Sequence, residues 1–220
     1  MGYFFRTKGG DNVMDNTFMQ KNGFKLLVTT LLLVMIGTLG YMVVKGNNPA
    51  SKLEVMKQAP DFKLTNIDGK SISLAELSGR SKLIYFFYST CPDVCQPTTY
   101  TLSKVQDALV KKGVFGDKTA MASITFDPTK DTTEQLQKFS QSFHADPKGW
   151  YFLRGEEAAV IDLAQKYGVM VIKDKDGLFT HNNVILLVDK KGDLRTYYNG
   201  SDPDLNVDKI AEDMIGLSRE

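Results

Sequence analysis

The chain contains two cysteines, four residues apart, in Cys91-Pro92-Asp93-Val94-Cys95. Thiolate sulfur attacks disulfides and ligates soft metal ions, so this pair is the first place to look for chemistry. Three uses fit. A structural disulfide suits an exported chain, but closing so short a loop stabilises by less than the roughly 3 kcal/mol expected of a 15-residue loop. A redox dithiol is the second use, although that chemistry ordinarily takes Cys-x-x-Cys. A two-thiolate site for a soft ion such as Cu(I) is the third. Spacing alone leaves all three open. Of the two histidines, His144 in SFHADPKGW follows a helical segment and needs no function. His181, in FTHNNVILLVD, comes just before an apolar run. Taken by itself, a lone histidine is more often packing or surface than ligand.

The elements that must position these residues follow from patterning. Lys82–Tyr88 (KLIYFFY) is a continuous apolar run, expected as a strand buried on both faces. Val94, Leu102, Val105 and Leu109 recur at helical spacing and stop before Gly113. The cysteines thus sit at a strand-to-helix junction. Pro92 is expected at the first helical position, which would set both sulfurs on one helix face. The positive end of that helix would favour thiolate.

Elsewhere, Phe62–Leu64 and Ser71–Leu74 flank the turn signal Asn66-Ile67-Asp68-Gly69 and predict a hairpin. Strands are expected at Ala120–Phe126, Tyr151–Leu153 and Val184–Val188, and helices at Glu134–Phe143 and Glu156–Tyr167. A hairpin through Lys190-Lys191-Gly192-Asp193 and a closing helix through Val207, Ile210 and Met214 complete the series. The sum is an α/β sandwich around a mixed sheet, a layout that thioredoxin-like and other α/β folds share. The loop before Val184 would face the cysteines in such a sheet.

Residues 24–44 depart from this pattern. Lys25 is their only charge, and at 1.5 Å per residue they span roughly the 30 Å of a bilayer core. The expected organisation is a short cytoplasmic segment (1–23), a transmembrane helix (24–44), a linker (45–58) and one domain (59–220). A cleaved signal peptide would have a shorter apolar part and a small-residue cleavage site, which VKGNNPASK lacks. Arg6, Lys8 and Lys21 before the span, with Lys25 at its very start, keep the leading segment inside, placing the domain on the extracytoplasmic side. Asp11 and Asp15 argue against a mitochondrial transit peptide, which favours a bacterial cell membrane. A formal charge of +1 with scattered Lys and Arg indicates no nucleic-acid partner.

Four stretches give the chain a family resemblance: FFYSTCPDVCQPTT at 86–99, ITFDPTKDTTEQL at 124–136, FHADPKGWYFLRG at 143–155 and HNNVILLVD at 181–189. Together they resemble the Sco (SenC) family of copper proteins, which assist assembly of the dinuclear copper centre of cytochrome c oxidase. The match runs from Ala59 to the final helix. The resemblance implies a thioredoxin-like fold behind one N-terminal membrane helix. It also implies a metal site of Cys91, Cys95 and His181, holding Cu(I) and/or Cu(II). Asp127 resembles the acidic residue that the family keeps near its metal, and Asp93 is a second candidate for orienting ligands or docking a partner. Turn chemistry is the alternative for both: Asp93 could cap the helix, and Asp127-Pro128 could open a loop. One departure is Asn182, where the family commonly has Ser.

The implied function is a copper metallochaperone acting on cytochrome c oxidase subunit II, with another copper chaperone as donor. The alternative is a thiol–disulfide oxidoreductase that reduces the cysteines of the same subunit. Against it as sole role stand the three-residue gap and the sequence His181-Asn182-Asn183 where redox thioredoxins carry a proline. A peroxidase of this fold would need its own thiol motif, which CPDVC does not resemble.

Overall fold

The computed structural model describes residues 16–46, 53–175 and 177–220, in two compact units divided after Pro49. The expected cytoplasmic segment falls largely, and the linker partly, outside the described residues.

The first unit contributes helix α1, Asn16–Gly46. Its stretch Asn22–Met42 is long and apolar enough to cross a membrane. Leucines such as Leu31 and Leu33 are exposed, so this apolar surface is not spent on a protein core.

The second unit is built on β1 (Lys57–Gln58), β2 (Lys63–Asn66), β3 (Ser71–Ser73), β4 (Ser81–Phe87), β5 (Thr119–Thr125), β6 (Trp150–Arg154), β9 (Val184–Val188) and β10 (Asp193–Asn199). They form one sheet in the order β1-β10-β9-β4-β5-β6-β2-β3. Strands β4, β5 and β6 are parallel, and the remaining pairs are antiparallel. The helices are α2 (Cys95–Lys111), α3 (Thr133–Ser142), α4 (Glu157–Lys166) and α5 (Val207–Arg219). This is the expected thioredoxin-like sandwich. Thr132 and Glu156 start α3 and α4 by accepting from Gln135 N and from Ala158 N and Ala159 N.

Every residue of β4 is buried because helical segments cover both sides of the strand. Ser81 donates to Met214 O of α5, and the Phe87 ring stacks on Phe139 of α3. Between them in the alternation, the Phe86 ring meets Tyr167 at the end of α4. Burial on both faces explains why the run carries no polar alternation, apart from Lys82.

Two expectations need correction. The end of the supposed linker enters the sheet, since Lys57 and Gln58 pair with Leu194 and Asp193 and so satisfy the outer edge of β10. A two-stranded ribbon, β7 (Val171–Lys173) with β8 (Phe179–His181), was not foreseen at all. His181 therefore closes a strand rather than sitting in a plain loop.

Candidate metal centre

Strand β4 ends at Phe87, and the chain turns through residues 88–94 before α2 begins at Cys95. Cys91 N donates to Tyr88 O at 3.3 Å within this turn. Cys91 is thus outside the helix, and Pro92 is not its first residue. Val94 is the N-cap, and Thr98 N makes an early intrahelical bond to Val94 O at 3.1 Å. Pro97, in the first turn, occupies a place where a missing N–H costs nothing. The N–H groups of Asp93, Val94 and Cys95 turn instead to the Cys91 sulfur.

This arrangement separates the two thiols. Burial raises the Cys91 pKa, but hydrogen bonds from the Cys95 thiol and those three N–H groups outweigh it, bringing the group below the ordinary thiol value. Burial drives Cys95 well above that value, and the neighbouring Cys91 sulfur adds to the effect. The bias toward thiolate falls on Cys91 and not on Cys95, whereas the helix dipole suggested it for both. Both residues are buried and both are free thiols.

His181 comes to this pair from the far side of the sequence. Its Nε2 lies 3.6 Å from Cys95 Sγ. Its Nδ1 is 3.1 Å from Asn182 O. A carbonyl only accepts, so Nδ1 carries the proton and the Nε2 lone pair faces the sulfur. Burial lowers the imidazole pKa, with the Asn182 carbonyl opposing, which keeps the ring neutral and able to ligate. Phe126 and Tyr88 meet the ring edge-on, at 5.0 and 6.3 Å between centroids. Asn182 carries its own burden: its Oδ1 accepts from Met170 N at 2.6 Å and ties the ribbon to the segment before β7.

Among the described residues, no three Cys, His, Asp or Glu side chains form a ready-made metal cluster. The contacts are pairwise and share Cys95. With bonds of about 2.3 Å to sulfur and 2.0 Å to nitrogen, ligands on one ion stand roughly 3.5–3.7 Å apart at tetrahedral to trigonal angles. The Cys95–His181 separation already meets that spacing. Two sulfurs and an imidazole are a donor set suited to copper.

The two acidic candidates are placed differently. Asp127 is buried, but its carboxylate accepts from Lys130 N at 3.2 Å and faces Lys130 Nζ at 3.8 Å, the turn role. Asp93 is exposed and does not cap α2; only its backbone N–H reaches a cysteine. His144 stands apart in the left-handed region, φ 53°, with its carbonyl taken by Gln106.

Two positioning residues escaped the sequence reading. Asp131 is fully buried and accepts from Ser89 N, Ser89 Oγ and Thr125 Oγ1, clamping the turn that leads to Cys91 onto the end of β5. Its signal was present in DPTKDT, but a loop aspartate is ordinarily a turn former. Asn183 accepts from the Tyr85 hydroxyl at 3.0 Å and donates to Thr98 Oγ1 at 2.8 Å and Ser201 Oγ at 3.0 Å. It joins β4, α2 and the segment after β10 just beyond His181. Gly200 makes room for it: a Cβ there would stand 2.8 Å from Asn183 Nδ2.

The model of the SCO1/SenC family matches residues 51–217. The chain is similar to the SCO2-like protein RT0576 of Rickettsia typhi, with 27% identity over 188 residues, 79% of this chain and 89% of that protein. Among solved structures it is similar to BsSco, described as a member of the Sco family of cytochrome c oxidase assembly proteins with a disulfide switch. The identity is 26% and the TM-score 0.67, covering 76% of this chain and 96% of BsSco. Copper-bound ScoI of Bradyrhizobium japonicum superposes with 29% identity and a TM-score of 0.61, covering 73% and 99%. With its family model spanning nearly all of the folded unit, this chain belongs to the SCO1/SenC family.

Proposed function

We propose that the chain carries copper on Cys91, Cys95 and His181 and delivers it to the dinuclear centre of cytochrome c oxidase subunit II. The observation that carries this reading is the 3.6 Å approach of His181 Nε2 to Cys95 Sγ across 86 residues of sequence. Copper on the Bradyrhizobium relative and the assembly role of the BsSco family support it. Here copper is cargo. Three protein donors leave the ion's shell incomplete, so an incoming ligand can replace one donor at a time, which a closed four-ligand cage would resist. The neutral imidazole and the lowered pKa of Cys91 ease proton release to the ion, whereas the buried Cys95 thiol gives up its proton only as the metal binds. Helix α1 anchors the chain in a cell membrane, with the folded unit on the extracytoplasmic side, within reach of a membrane-bound acceptor and of a copper-donating chaperone.

The test is metal analysis with absorption spectroscopy on the purified chain. Wild type binds about one copper and shows thiolate-to-Cu(II) charge transfer, and His181→Ala loses that band. Equal copper affinity in a Cys91→Ser/Cys95→Ser double variant would sink the proposal.

A second reading has its own support in the unequal thiols. The Cys91 thiolate attacks a target disulfide and forms a mixed disulfide, releasing one target thiolate. Cys95 then loses its proton and attacks the Cys91 sulfur, releasing the second target thiolate and leaving a Cys91–Cys95 disulfide. Reduction of a cognate disulfide at a rate unchanged by His181→Ala would favour this reading over copper delivery.

A further inference from the structure

Lys82 is a cation in an otherwise apolar strand, near the end of β4 away from the cysteines. At about 3.3 Å per residue the six steps from Lys82 to Tyr88 put roughly 20 Å between this lysine and the turn that carries Cys91. Its side chain is completely buried, and Nζ has no hydrogen-bond partner among the described residues. An ammonium in that condition is strongly unfavourable unless something compensates it.

Neighbouring charges do not. Asp189 is the acid whose charge acts on Lys82, but it is committed to the Arg195 guanidinium at 2.8 Å and to Lys191 N and Asp193 N. Arg80, the other charge felt by Lys82, adds to the positive potential and spends its own donors on Gly116 O, Tyr151 Oη and Glu76 O. Burial pushes the Lys82 pKa down to about 8, with Asp189 opposing, so the group remains cationic at neutral pH.

Lys82 lines a cavity of about 430 Å³, bordered also by Gln58, Asp61, Ser78 and Lys191. That volume lies within the range of small-molecule sites and is far larger than a single water needs. The lining carries both signs: the exposed Lys191 ammonium and the Ser78 hydroxyl are donors, and the buried Lys82 ammonium adds positive charge behind them. Asp61, one of whose oxygens already accepts from Phe62 N at 2.9 Å, offers an acceptor. No interaction assigned to copper handling uses any of them.

We propose that this cavity binds a small soluble organic anion, with its carboxylate or phosphate group on Lys191 and over the wall that covers the buried Lys82 ammonium, and a hydroxyl or amino group toward Asp61. The ligand supplies the counter-charge that the fold withholds from Lys82, so the folded state and the complex are linked.

The test measures the melting temperature of the full chain in detergent, in phosphate or citrate against chloride at equal ionic strength. Wild type rises by about 3–6 °C once the anion reaches ten times its Kd. Lys82→Met, which replaces the ammonium by an apolar chain of similar length, melts higher than wild type in chloride and loses the response. Lys191→Ala, at the exposed rim, keeps the chloride melting temperature and needs several-fold more anion for the same rise, which covers the case of a Lys82 variant that does not fold. The same response in Lys82→Met, or no wild-type response to either anion up to about 100 mM, overturns the assignment. Repeating the measurement in phosphatidylcholine nanodiscs with and without phosphatidylglycerol identifies the source. Protection by citrate or phosphate in pure phosphatidylcholine supports a soluble ligand. Protection by phosphatidylglycerol alone assigns a lipid headgroup and overturns it.

Discussion

Asp131 accepts from both the backbone N–H and the hydroxyl of Ser89, two residues before Cys91, from a position 42 residues further along the chain. Thr125, at the end of β5, donates to the same carboxylate. One buried side chain thereby fixes the end of β5 against the turn that carries a candidate ligand, and the candidate metal centre depends on a residue with no place among its proposed donors.

Asp131→Ala is expected to destabilise the folded unit by about 2–3 kcal/mol, because Ser89 N–H and two hydroxyls lose their acceptor in a dry site. Asp131→Asn keeps acceptor oxygen and should cost far less. Burial holds the Asp131 carboxyl above its ordinary range, with the Ser89 and Thr125 bonds opposing. The folded state therefore retains a proton that the unfolded chain has released, and stability falls as pH rises from about 4 through the folded pKa. Urea denaturation as a function of pH should show that slope in wild type and its loss in the asparagine variant.

Alkylation should discriminate between the cysteines. With Cys91 below and Cys95 well above the ordinary thiol value, iodoacetamide at pH 7.5 should modify Cys91 at least about tenfold faster. Peptide mapping by mass spectrometry after short reaction times reads the ratio. Equal labelling would mean that the N–H groups of residues 93–95 do not stabilise one sulfur over the other.

The imidazole of His181 should titrate below 6.5, since burial disfavours its cation more than the Asn182 carbonyl favours it. The unfolded chain then binds more protons than the folded one just below pH 6.5. The associated stability is complete above that pH and is lost as pH falls through the folded pKa. Ring-proton NMR of the metal-free protein gives the midpoint directly, and a value above 6.5 would contradict the buried, neutral ring. Copper loading should weaken over the same acid interval, as protons compete for Nε2.

Patterning carried much of the fold because the strongest local signals agreed with the tertiary ones. KLIYFFY read as a strand covered on both sides and is one, and the spacing from Val94 to Leu109 read as a helix packing one face and falls on α2. The β7–β8 ribbon was invisible because VIK and FTH are too short and too mixed to show a period. Pro92 misled for a related reason: a proline fits a first helical turn, but only the folded turn shows N–H groups diverted to the Cys91 sulfur and Pro97 in that role.

The sequence by itself determined the residue types available for chemistry and the junction where the cysteines stand, since both are local properties of composition and spacing. Only the tertiary structure decided that His181 reaches Cys95, that Asp131 holds the turn, that Asp127 is spent on Lys130, and that Lys82 is buried without a hydrogen-bond partner among the described residues. Those outcomes depend on strand order and register, with β9 pairing beside β4 and β5 on its other side. Such long-range contacts arise from burial and pairing across the whole sheet, and no window along the chain contains them.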